Sequence, residues 1–232
     1  LYLEARNRYL EIAKQKKNYK NIIELINQFD YAHSLCIGDL EGVSKYFELN
    51  ADNQDKKFSD VVSGANIAVV VPTSVENGDG PEIDCADITV RMNYTSSSQG
   101  TNPEHKGVRT DMAYYTIGTL EKMLDEGLKI PSDVTYVNFL KDDERIHEVT
   151  SQYRIGNNFN KIMLIGIFNM VLRIVIDLAM YKPAKIKIFH SDMMLTPLPK
   201  NKNYYATNKN LEDEDNFKRH ILKLAHIHDL FG

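Results

Sequence analysis

The stretch ANIAVVVPTSVENGDGPEIDCADITVRMNY at residues 65–94, followed by HKGVRTDMAYYT at 105–116, decides how this chain folds. Positions 67–71 form an unbroken apolar, β-branched run, which predicts a strand covered on both faces. The turn-formers and small polar residues of 72–80 then predict a loop. Shorter strands are expected at 88–92, ending in Arg91-Met92-Asn93, and at 112–116, entered through Gly107-Val108-Arg109-Thr110. A polar loop at the carboxyl end of a parallel strand is where open α/β sheets place their ligands.

Outward from this stretch, strand and helix alternate. A helix is expected at 120–126, ended by Gly127, then a strand at 134–140 and a charged helix at 142–152. A loop at Gly156-Asn157-Asn158 leads to a long apolar helix at 162–181, stopped by Pro183. A strand at 185–189 carries His190-Ser191-Asp192 at its end, and a helix at 212–230 closes the chain. Such alternation predicts an α/β fold: a Rossmann-like, mainly parallel sheet flanked by helices. Before it, Leu3, Leu10, Ile12 and then Ile22, Leu25, Ile26 and Phe29 fall at helical spacing. They predict two or three amphipathic helices. The polar run NADNQDKKFSD at 50–60 separates the two patterns, giving a helical appendage at 1–60 and the α/β domain at 61–232.

Composition narrows the function classes. With 28 basic and 32 acidic residues, the chain lacks the basic excess of a general nucleic-acid binder. Cys36 and Cys85 stand far apart, so neither a disulfide framework nor a cysteine metal site is expected, and a reducing, cytoplasmic compartment is. Asn169, Arg173 and Asp177 interrupt the apolar run at 162–180, which suits a core helix better than a membrane span. The basic run Lys14, Lys16, Lys17, Lys20 offers peripheral contact with an acidic membrane face, although such runs are usually solvated helix faces. No signal peptide is visible, and a chain beginning at Leu1 reads as a fragment of something longer.

One arrangement of residues is more specific. An apolar strand (Val69-Val70-Val71) is followed by Pro72-Thr73-Ser74, by Glu82-Ile83-Asp84, by Asp87-Ile88-Thr89-Val90-Arg91-Met92-Asn93, and by Gly107-Val108-Arg109-Thr110. This order resembles the first shared motif of the sialyltransferases, over about 45 residues. Residues 167–192 are similar, more weakly, to the family's second shared region, with His190-Ser191-Asp192 where the family ends Gly-hydrophobic-Asp. The resemblance implies a sialyltransferase-like topology and a CMP-sugar donor, with no metal and no separate cofactor. It implies inverting transfer of sialic acid or a related keto-sugar acid to a saccharide or glycolipid acceptor. Pro72-Thr73 replaces the family's Gly-Asn pair, and Phe168-Asn169 stands where the family opens its second region with Ser/Thr-Gly.

Displacing a nucleotide from an anomeric carbon needs groups for the leaving phosphate, groups for the nucleoside, and a base for the acceptor hydroxyl. Thr73 and Ser74 are phosphate candidates through their hydroxyls and backbone N–H groups. Asn93 can donate and accept together, and the resemblance assigns it to the donor, along with Arg109, Asp192 and Tyr205. His190, at a strand's carboxyl end, is the first choice for the base, with His220 and Tyr204 as further catalytic candidates. Asp213-Glu214-Asp215 spells a metal-binding pair but lies in an acidic helix start, so no metal is expected. Without its base, the domain would be a non-catalytic module of a larger polysaccharide-synthesis protein.

Overall fold

The computed structural model describes residues 53–72, 77–98, 102–156 and 170–191, with scattered positions among the first 45. The chain divides into two compact units: Leu1–Ala51 with Phe159–Ile167 and Glu212–Gly232, and Asp52–Asn158 with Phe168–Leu211. In the first unit, Glu4, Glu11, Gln15, Asp30 and Lys45 are among the described positions that lie in helices. Lys14, Lys16, Lys17 and Lys20, the acidic run at 213–215 and Cys36 lie outside the described residues.

In the second unit, the described residues form a six-stranded sheet in the order β5-β4-β3-β2-β1-β6, parallel throughout. The strands are β1 (Asn66–Val70), β2 (Ile88–Met92), β3 (Met112–Tyr115), β4 (Tyr136–Phe139), β5 (Arg154–Ile155) and β6 (Lys185–Phe189). β2 and β3 are buried at every position, as strands covered on both faces must be. An α/β, Rossmann-like architecture follows from this sheet and its helices.

Strand alternation assigns the two faces. On one, Ala68, Val70 and Phe189 pack with Ile83 of α2 (Gly80–Asp84), while Ala113, Tyr115 and Phe139 pack with Leu120 and Met123 of a later helix, Ile117–Glu126. Between these two helices in sequence lies α3 (Pro103–Lys106), so Ile117–Glu126 is α4. The opposite face carries Tyr114, Asn138 and Arg154 in one register row. It meets α1 (Asn53–Val62) and α5 (Met170–Ala179). Crossovers over the first face carry the chain from β1 to β4, and α5 on the second returns it to β6, beside β1, consistent with right-handed connections. Chain order therefore reverses at β1.

Asp177, wholly buried on α5, explains how an acid sits in an apolar helix. Arg154 donates to both its oxygens, from Nη1 at 2.7 Å and Nη2 at 3.1 Å, and the Tyr114 hydroxyl donates at 2.7 Å. Asp55 of α1 accepts from Arg154 Nε at 2.6 Å and from the Tyr181 hydroxyl at 2.9 Å. The guanidinium also lies 4.2 Å over the Phe58 ring. Burial alone would lower the Arg154 pKa, but Asp177 more than reverses it. The Tyr114 hydroxyl is pushed well up, first by burial and then by Asp177.

Two local expectations differ from the structure. The polar run at 50–60, expected only to separate two patterns, is helical in its described part, where it belongs to α1, whose Phe58 and Val62 are buried. The charged helix expected at 142–152 is a single 3-10 turn, Glu144–Glu148, before the short strand β5. Asp143 N-caps that turn: its carboxylate accepts from Arg145 N–H at 3.0 Å and from Arg145 Nε and Nη2 at 2.8 Å each. These hydrogen bonds, the guanidinium's foremost, hold the Asp143 pKa down at about 2. Because this pKa is depressed on folding, the stabilisation is present above the ordinary carboxylate value and is lost as pH falls through about 2. Carboxyl-carbon NMR should give Asp143 a midpoint near 2, with Arg145→Met returning it toward 3.8. An unshifted midpoint in the unsubstituted protein would contradict the capping geometry.

Candidate functional site

The residues of the quoted motif bind one another. Asp84, at the end of α2, accepts the backbone N–H of Val108 on both carboxylate oxygens at 3.0 Å and that of Arg109 at 2.9 Å. Arg91, 8% exposed on β2, holds the same loop by its carbonyls: Nη2 donates to Lys106 O at 2.7 Å and Gly107 O at 3.1 Å. Its Nε donates to Arg109 O at 3.2 Å and to the Thr110 hydroxyl at 2.8 Å. The loop 106–110 is thus clamped by an acid through its N–H groups and by a base through its C=O groups. Gly107 is required at its centre. Its φ is 67°, and a Cβ there would stand 2.4 Å from Asp84 Oδ1. Gly80 is equally constrained, since its Cβ would meet Pro103 O at 2.1 Å where α2 packs on α3.

Beside this clamp lies a cleft of about 320 Å³. The ends of β1 and β2 line it with residues 70–72 and 91–94, and Ser98, loop residues 106–108 and Asp133 complete the wall. Arg91 and Lys106 bring two positive charges against the single carboxylate of Asp133. Among the described residues no ion pair engages either cation. Burial lowers the pKa of both, and the Arg91 charge lowers that of Lys106 further. Arg91 also stands 5.4 Å over the Tyr94 ring, whose negative face favours a cation. The cleft is therefore a place where an anion gains more than it would in water.

Asn93 lines this cleft in a left-handed conformation, φ 51°, which asparagine tolerates better than most residues. Its N–H donates to Tyr114 O at 2.8 Å, and its Oδ1 accepts Thr116 N–H at 3.2 Å. With the acceptor engaged, the side chain's remaining donors are those of the amide nitrogen.

The other expected site residues fall in different places. Arg109 is not among the residues lining the cleft. Its guanidinium donates to Asp84 O, to Ala86 O at 2.6 Å and to Asp87 O at 2.8 Å, and pairs with Asp111 at 3.0 Å. That engagement makes it a brace between two loops. His190 ends β6 with φ 60°, and its imidazole is wholly buried, Nε2 lying 4.0 Å from Asp79 Oδ2. It does not line the described cleft. Asp79 in turn accepts from the Asn77 amide, and Gly78 N–H donates to His105 Nδ1 at 3.0 Å. Thr73, Ser74, Asp192, Tyr204, Tyr205 and His220 lie outside the described residues.

Lys106, Ser98 and Asp133 are cleft residues that sequence reading missed. Lys106 had a signal, since it directly precedes the glycine of Gly107-Val108-Arg109-Thr110. Asp133 had none, because only folding brings it to the loop. Among the described residues no group of three or more His, Cys, Asp or Glu is arranged to hold a metal, and no helix is long and apolar enough to cross a membrane. No protein-family model, curated protein or solved structure matches this chain.

Proposed function

We propose that the cleft beside β1 and β2 binds a CMP-sugar and that the chain transfers its sugar, a sialic acid or related keto-sugar acid, with inversion to a saccharide or glycolipid acceptor. One observation carries this reading: two cations with no ion-pair partner among the described residues and the Asn93 amide meet in one cleft at the carboxyl ends of neighbouring parallel strands. A volume of about 320 Å³ is at the small end of the roughly 300–1,000 Å³ usual for ligand pockets, which suits a mononucleotide better than a dinucleotide. In the reaction, an acceptor oxygen bonds to the anomeric carbon as the bond to the phosphate oxygen breaks. The nucleotide leaves with the bonding pair, and Arg91 and Lys106 offset its negative charge without requiring a metal. The hydroxyl proton passes to a base, for which His220 is the remaining candidate beside His190, while Tyr204 would help to stabilise the leaving charge. An acceptor at the cytoplasmic membrane face suits the expected compartment.

A second reading, a binding module that lacks a base, draws on the burial of His190 and on Pro72, which brings no N–H to the cleft. Asn93→Asp tests the nucleotide reading directly. It keeps Oδ1 for Thr116 N–H and tolerates the backbone conformation, but puts a carboxylate where the amide donated. Calorimetric titration with CMP should show affinity falling at least about 30-fold, with the thermal midpoint nearly unchanged. Equal affinity in the two proteins would refute a nucleotide at Asn93. Donor hydrolysis or transfer by the unsubstituted protein separates the enzyme from the module.

A further inference from the structure

We infer that Lys106 and the outer nitrogen of Arg91 together form a phosphate-binding corner, in which Lys106 supplies the charge that distinguishes a nucleotide from its nucleoside. This rests on the nucleotide reading and deepens it, by separating what each cation does for the phosphate. Arg91 divides its donors: Nε and Nη2 are spent on the carbonyls and hydroxyl of the loop 106–110. Its Nη1 makes no bond to the described residues and is not among the buried polar atoms left unsatisfied, so water or a ligand reaches it from the cleft. The Arg91 bond to Lys106 O, at 2.7 Å, fixes the backbone from which the lysine side chain extends. Two cations are thereby anchored to one loop, and Lys106 meets no carboxylate partner among the described residues. Like charges held this way repel each other, which adds to burial in lowering the Lys106 pKa, and an anion between them relieves the repulsion.

The two cations have separable roles. Arg91 is structural as well as electrostatic, so replacing it disturbs the loop. Among the described residues the Lys106 side chain has no hydrogen-bond or ion-pair partner, so its charge can be removed alone. A phosphate monoester or diester fits the pair because it presents several oxygens to donors approaching from different directions, which a single carboxylate does less well. Val108, 63% exposed at the rim, adds an apolar edge suited to the sugar or base attached to that phosphate.

The test is calorimetric titration of the full chain, unsubstituted and as Lys106→Met and Lys106→Arg, with CMP, AMP, UMP and cytidine. Lys106→Met should weaken CMP by about tenfold to a hundredfold and leave cytidine unchanged, while Lys106→Arg retains most of the affinity. The difference should shrink as salt is raised, because a half-exposed charge is screened. Circular dichroism melts confirm folding of each variant. If the unsubstituted protein binds CMP and Lys106→Met binds it equally, the phosphate corner is overturned and the nucleotide reading stands. If AMP or UMP binds in a Lys106-dependent way and CMP does not, the corner stands and the CMP reading falls. If no mononucleotide binds, both fall.

Discussion

Replacing Arg154 by Met is expected to produce the largest loss of stability of any single change discussed, about 3–5 kcal/mol. The guanidinium joins β5 to α5 and α1 at once, through Asp177 and Asp55, and packs on Phe58 and Tyr181. Its removal takes from the wholly buried Asp177 carboxylate the two guanidinium hydrogen bonds it accepts and the closest positive charge the described ion pairs give it. For a chain of this size the thermal midpoint should fall by roughly 10 °C, since about 1 kcal/mol corresponds to about 2–4 °C. The double variant Arg154→Met with Asp177→Leu should recover much of that loss, because neither buried charge is then left alone. Urea unfolding of the three proteins checks both statements. A single variant within 1 kcal/mol of the unsubstituted protein would show that the network contributes little. The same residues support the candidate site, because Tyr114 O accepts Asn93 N–H.

Arg91→Met is expected to have the second largest effect, and on two properties together. Four hydrogen bonds to the loop 106–110 disappear, leaving the carbonyls of Lys106, Gly107 and Arg109 without their guanidinium partner. Charge-assisted bonds of this kind contribute about 1.5–3 kcal/mol each when taken singly, and since one group makes all four the summed loss is smaller than their total, about 3 kcal/mol. CMP affinity should fall at least about a hundredfold, because the loop and the cleft charge are lost together. Lysine is not a substitute. It cannot reach in a planar fork to several carbonyls, so Arg91→Lys should bind CMP little better than Arg91→Met. Asp84→Ala approaches the loop from its other side, orphaning the N–H groups of Val108 and Arg109, and should weaken CMP without removing a cleft cation. A full CMP affinity in Asp84→Ala would show that the clamp does not organise the cleft. Denaturant unfolding and calorimetry separate the stability effect from the binding effect in each variant.

Much of the sheet was legible because its strands are apolar on both faces, and a β-branched run such as 67–71 has few other ways to bury itself. Strand β5 was not legible. Two residues cannot establish a period, and the charged segment before it reads as helical although it forms only the 3-10 turn Glu144–Glu148. Helix α1 was missed for a related reason, since its buried Phe58 and Val62 are outnumbered by polar neighbours in NQDKKFSDVV. The motif residues Asp84, Arg91, Asn93 and Gly107 could be picked out by their order, but the work each does could not. Arg109, expected as a ligand, braces loops, and Arg91, quoted only as a strand end, carries the cleft's charge.

By itself, the chain's order of apolar runs and turn residues determined an α/β fold and pointed to the carboxyl ends of the first strands, because burial on two faces and crossover handedness are local and chiral constraints. Tertiary structure alone decided which cations line the cleft, that Asp133 joins Lys106 there, and that His190 turns inward toward Asp79. Charges separated by 27 positions, as Lys106 and Asp133 are, meet only when the sheet is assembled, and electrostatic energy depends on that distance and burial rather than on spacing along the chain.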